Sequence, residues 1–117
     1  MKQHQFRKLI IWQRSKTFIV EIYKITSSFP KSELYGLTDQ IRRAAVSIVL
    51  NISEGCGASS STEFKRFLDF SKRSVYEVIT GLEIAIELGY KDEITLRNSI
   101  NEGEEIVRMI VGFTKQL

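Results

Sequence analysis

Leu37 to Gly57 reads LTDQIRRAAVSIVLNISEGCG, and the way its residues fall on a helix decides the fold. At 100° per residue, Leu37, Ile41, Ala44, Ala45, Ile48 and Ile52 share one face, the spacing of a helix that buries a stripe. Gln40, Arg43, Ser47, Asn51 and Glu54 form a second, adjacent stripe. Val46, Val49 and Leu50 lie on the remaining side, where an ordinary surface helix carries charge. A helix apolar around most of its circumference is normally enclosed. The stretch is therefore expected to be a central helix, packed by its own chain on one side and by another copy on the other.

The polar stripe admits two placements, a subunit boundary or a groove of the bundle. Arg43 and Glu54 stand eleven positions apart, about three turns, too far to pair within one helix. A hydrogen-bonded seam that fixes helix register is favoured over a ligand site, because an unpaired buried polar group costs about 1–3 kcal/mol. Gln40, Arg43, Ser47, Asn51 and Glu54 are accordingly expected to be a buried polar row.

The flanking chain reads as three further helices. Residues 8–28 place Leu9, Trp12, Ile19, Ile22 or Tyr23, and Phe29 at three-to-four spacing, with Ile11, Phe18 and Ile25 widening the stripe. Pro30 disfavours helical geometry at the residue before it and stops this helix. Thr38 or Ser32 is the expected cap of the central helix. Ser60 followed by Glu63 has the pattern of a capping box for a third helix. Its core stripe is Phe64, Phe67, Leu68, Ser71, Val75, Val78, Leu82, Ala85 and Ile86, and Gly89 fits its left-handed C-terminal residue. Asp92 caps a fourth helix carrying Leu96, Ile100, Gly103, Val107, Ile110 and Leu117, with Ile106, Val111 and Phe113 beside them. No segment alternates with period two. Short loops between long helices make antiparallel neighbours, so the expected fold is all-α, an antiparallel up-down-up-down four-helix bundle forming one domain over residues 1–117.

With 43% apolar and 26% charged residues, the 117-residue chain has the composition of a folded domain. No apolar run nears the roughly 20 residues of a membrane span, and Met1 to Phe6 is polar, unlike a signal peptide. The single cysteine, Cys56, excludes an internal disulfide and fits a reducing cytoplasm.

Catalytic devices are hard to assemble from these residues. His4 is the only histidine, so neither a histidine triad nor paired Glu-x-x-His metal ligands are available within one chain. Zinc would need more Cys and His. Gly55-Cys56-Gly57 lacks the lysine of a phosphate loop. No catalytic residue, metal or cofactor is expected, and the chain is expected not to be an enzyme.

Charge is unevenly spread. Residues 1–75 hold thirteen Lys/Arg against six Asp/Glu, and residues 76–117 hold four against eight. Arg7, Lys8, Arg14, Lys16 and Lys24 along the first helix, with Lys65, Arg66, Lys72 and Arg73 on the third, are candidate phosphate contacts for nucleic acid. Asp69 lies within a turn of Lys65 and Lys72. Tyr76 and Phe70 suit base stacking or packing equally. Trp12, Val46, Val49 and Leu50 are candidate interface residues of a homo-oligomer, with Phe18 and Phe70 adding apolar surface.

The run from Phe6 to Leu117 resembles the bacterial four-helix-bundle family of the 23S rRNA intervening-sequence proteins, or S23 ribosomal protein family. The resemblance is carried by Phe29-Pro30, Glu33-x-x-Gly36-Leu37-x-x-Gln40-Ile41-Arg42-Arg43-Ala44, Ser47-Ile48, Asn51-Ile52-x-Glu54-Gly55 and Leu88-Gly89-Tyr90. The accessory variability proteins of diversity-generating retroelements are related to that family. The resemblance implies a cytoplasmic homopentamer without established enzymatic activity. Through the retroelement branch it also implies binding to structured RNA or DNA and to a reverse transcriptase-like protein. Two departures stand out. Ala58 to Thr62 is neutral where such proteins look basic, and Arg73-Ser74 stands where Gly-Ser is usual. The expected function is a nucleic-acid-associated accessory protein, and the alternative is a self-assembling scaffold with no nucleic-acid role.

Overall fold

The computed structural model describes residues 3–117, the side chains of Gln3 and His4 excepted. What was expected of the leading residues and of the His4 side chain lies outside the described residues. Four helices follow one another: α1 (Ile10–Thr26), α2 (Leu37–Cys56), α3 (Ser61–Glu87) and α4 (Glu93–Thr114). Short 3-10 turns occupy Gln3–Lys8 and Lys31–Glu33. Among the described residues there is no strand, and the helices form an up-down bundle.

Each helix touches its sequence neighbour and α4 closes back on α1, while α1 and α3 stand at diagonal corners. Ile41, Ala44, Ala45, Ile48 and Ile52 of α2 are buried as their spacing requires. They meet Phe64, Leu68, Val75, Val78, Leu82 and Ala85 of α3 in one core. Helix α1 is rotated from its expected phase. Ile11, Ser15, Phe18, Ile22, Ile25 and Thr26 are its buried residues, while Leu9, Trp12 and Ile19 are half-buried. Phe18, expected to add apolar surface, is only 2% exposed. Mixed Ile, Phe and Trp positions support either phase, and the fit against α2 and α4 selects one. On α4 the same choice buries Ile106 and leaves Val107 half-buried.

The caps hold with one exception. Ser60 accepts from the Glu63 amide at 3.1 Å and Asp92 from the Thr95 amide at 2.9 Å. Gly89 has φ +70°, a backbone that side chains other than glycine resist. At α2 neither Thr38 nor Ser32 caps. Gly36 occupies the cap position, and Glu33 Oε1 accepts from the Leu37 amide at 3.1 Å. Thr38 instead turns inward, buried with its hydroxyl unpartnered.

Several of the residues that carry the family resemblance converge at one end of the bundle. Glu33 also accepts the Tyr90 hydroxyl, and the Phe29 and Tyr90 rings lie 5.7 Å apart. Lys91 Nζ donates to Ser28 Oγ at 2.9 Å. The connection after α1 is thereby clamped to the turn before α4.

Candidate interaction face along the central helix

Helix α2 packs on α1, on α3 and on the two 3-10 turns, and α4 lies diagonally across from it. On its outer side Gln40, Arg43, Leu50 and Glu54 are exposed. Two grooves run along it. One, about 590 Å³, lies between α2 and α3 and includes Gln40, Arg43, Ser47, Tyr76, Glu77 and Ile84. The other, about 770 Å³, lies between α2 and the end of α1 with its connector, and includes Tyr23, Leu34, Tyr35, Arg42, Val46 and Leu50. Arg43 and Ser47 belong to both and form the ridge between them.

Exposure concentrates here. Ten large apolar or aromatic side chains are exposed among the described residues, and six of them (Tyr23, Leu34, Tyr35, Leu50, Tyr76 and Ile84) line these two grooves. Tyr35 is 92% exposed and Leu50 56%. Tyrosine and leucine left in water beside arginine is the composition of a contact surface rather than of a solvated face.

The expected buried polar row is not buried within the chain. Gln40, Arg43 and Glu54 are exposed, and Ser47 and Asn51 are half-buried. Only four α-helices are present among the described residues, and none of them covers that side of α2. Three members are nevertheless satisfied locally. Asn51 Nδ2 donates to the Ser47 carbonyl and hydroxyl at 2.8 and 2.9 Å, and Ser74 Oγ donates to Ser47 Oγ at 2.9 Å. Arg43 Nε reaches Asp39 Oδ2 at 2.8 Å.

The structure divides the candidate interface residues. Val46 and Leu50 line the α1–α2 groove. Val49 is half-buried and lines neither groove. Trp12 serves the inside of the bundle: its Nε1 donates to Ser53 Oγ at 3.0 Å, and its ring lies 5.3 Å from that of Phe6. Sequence spacing missed Tyr23, Leu34, Tyr35, Arg42, Glu77 and Ile84. The signal was there, in aromatic and aliphatic residues out of phase with the core stripe.

The basic candidates do not merge into one surface, because α1 and α3 are diagonal. On α1, Arg14 is held by Glu102 through bonds of 3.0 and 2.8 Å, which raises its already high pKa. Lys16 sits over the Trp12 ring and Arg7 over that of Phe6. Lys8 and Lys24 are exposed. On α3, Arg66 pairs with Glu63, whose carboxyl it holds below the usual value. Lys72 and Arg73 both pair with Asp69, at 3.4 and 2.8 Å. The extra positive charge at Arg73 is thus matched within one turn. Lys65 makes no ion pair among the described residues, and with Lys72 and Lys115 it lines a notch of about 170 Å³ between α3 and α4.

Cys56 is 3% exposed at the end of α2, and burial pushes its thiol pKa up, opposite to what a nucleophile needs. Among the described residues no three of His, Cys, Asp and Glu gather as a metal site would require. Nor is any helix among them long and apolar enough to cross a membrane.

Residues 7–112 match the family model of the 23S rRNA-intervening sequence protein. The fold is similar to that of a protein of unknown function from the S23 ribosomal protein family of Bacteroides thetaiotaomicron. The two share 25% identity and a TM-score of 0.81, over 91% of this chain and 99% of that one. No curated protein matches the chain.

Proposed function

The chain belongs to the 23S rRNA-intervening sequence protein family, and from that premise we propose that it is a non-enzymatic protein that assembles with copies of itself through the outer face of α2. The observation that carries this is the gathering of six of the ten exposed large side chains on two adjoining grooves. The occupant is a second copy because the face is electrically balanced. Arg42 and Arg43 stand against Asp39 and Glu77, on a chain of net charge +3. Identical copies therefore meet there without the like-charge repulsion the rest of the surface would impose. A cytoplasmic homopentamer is the form proposed.

Light scattering tests it. A mass well above the 13.5 kDa chain is expected at micromolar concentration, and a Leu50→Asp variant should shift toward the single chain while staying helical. A wild-type protein of single-chain mass would overturn it.

A second reading, that of an accessory protein on structured RNA or DNA with a reverse transcriptase-like partner, is supported by the Lys65, Lys72 and Lys115 notch. Ring symmetry would multiply such a notch, and linked weak sites bind with high effective concentration.

A further inference from the structure

The two grooves beside α2 differ in charge. The α2–α3 groove holds Arg43 and Glu77, and the α1–α2 groove holds Asp39, Arg42 and Arg43. Arg43 and Asp39 pair with each other. One charge then remains in each groove without an ionic partner among the described residues: the Glu77 carboxylate in the first and the Arg42 guanidinium in the second. Arg42 is held in place by neutral groups only. Its Nε donates to Thr26 Oγ1 at 2.9 Å and its Nη2 to the Tyr23 carbonyl at 3.2 Å, and the guanidinium lies 4.6 Å from the Tyr23 ring centre. The side chain is thus positioned while its charge is left uncompensated.

Resting on the self-assembly reading, we infer that the two grooves are the two halves of one repeating contact. The α2–α3 groove of one copy seats on the α1–α2 groove of the next, and Glu77 of one meets Arg42 of the other. A groove placed on its own counterpart would oppose like charges, which disfavours a two-fold contact with antiparallel α2 helices. Both grooves flank the same ridge at Arg43 and Ser47, so they lie at one level along α2. Rotation about an axis parallel to α2 brings one onto the other without sliding, which closes a ring instead of starting a filament.

Charge reversal tests the pairing. Glu77→Arg touches no internal contact, and Arg42→Glu is accompanied by Arg42→Gln to separate charge from packing; circular dichroism follows the fold of each. Each single reversal should raise the concentration needed for assembly about tenfold or more. The Glu77→Arg/Arg42→Glu double variant should assemble again, because opposite charges then meet once more. If the wild type is a single chain, the self-assembly reading falls and this inference with it. If the wild type assembles and the folded single variants match it, the self-assembly reading stands and the groove pairing is overturned. Loss in the singles that the double variant does not restore also overturns it.

Discussion

The Tyr90 hydroxyl donates a 2.6 Å hydrogen bond to Glu33 Oε2, across 57 positions of chain, while Glu33 Oε1 accepts from the Leu37 amide. One carboxylate thus caps the central helix and ties down the turn between α3 and α4. The Tyr90 hydroxyl first, and the Leu37 amide second, hold the Glu33 carboxyl below its ordinary 4.5.

A pH dependence follows from that bond. Because the pKa of Glu33 is lower folded than unfolded, its stabilisation is complete above the unfolded value and is lost as pH falls through the folded one. Thermal melts should therefore decline from about pH 5 downward. Glu33→Gln should flatten part of that decline and lower the melting temperature at neutral pH. Equal pH profiles in wild type and variant would refute the role given to Glu33.

Gly81 of α3 leaves no room for a side chain against α2. A Cβ placed there would stand 2.5 Å from Ile41 Cγ1, and Ile41 is buried at 1% exposure. Gly81→Ala should accordingly cost about 1–3 kcal/mol despite its better helix propensity. Denaturant titration measures it, and a stabilised variant would show that the helices separate freely.

Cys56 should behave as a core residue. In the folded protein its labelling by a thiol reagent should be slow and should accelerate on denaturation, since burial both shields the sulfur and raises its pKa. Cys56→Ser should destabilise by about 1–3 kcal/mol, the cost of an unpartnered hydroxyl. Rapid native labelling would place Cys56 at the surface instead.

The nucleic-acid reading has its own measurement. Structured RNA is titrated against salt with wild type, a Lys65/Lys72/Lys115 alanine triple variant and an Arg66/Arg73 double variant. Arg66 and Arg73 must both give up a carboxylate to meet a phosphate, whereas of the three lysines only Lys72 is paired, so the lysine variant should lose more affinity. It should also lower the salt slope by about 0.7–0.9 for each phosphate contact removed. Absence of wild-type binding near about 50 mM salt would leave the scaffold reading alone.

The all-α class, the four helices and the α2 core stripe were legible in the sequence, because a 3.6-residue period and the caps at Ser60, Asp92 and Gly89 are local properties of the chain. Ile41, Ala44, Ala45, Ile48 and Ile52 are buried where spacing alone put them. The family could be named from the residues between Phe29 and Tyr90. What local periodicity does not encode is which helix lies against which. Only packing decided that α1 turns Phe18 inward and Trp12 toward Ser53, and that α1 and α3 stand diagonally with their basic rows apart. Only packing, too, left the row from Gln40 to Glu54 without a covering helix. Tyr23, Tyr35 and Tyr76 are scattered in sequence and meet on one face because three elements fold around α2. An exposed apolar face of that kind belongs to the assembled bundle and to none of its helices singly.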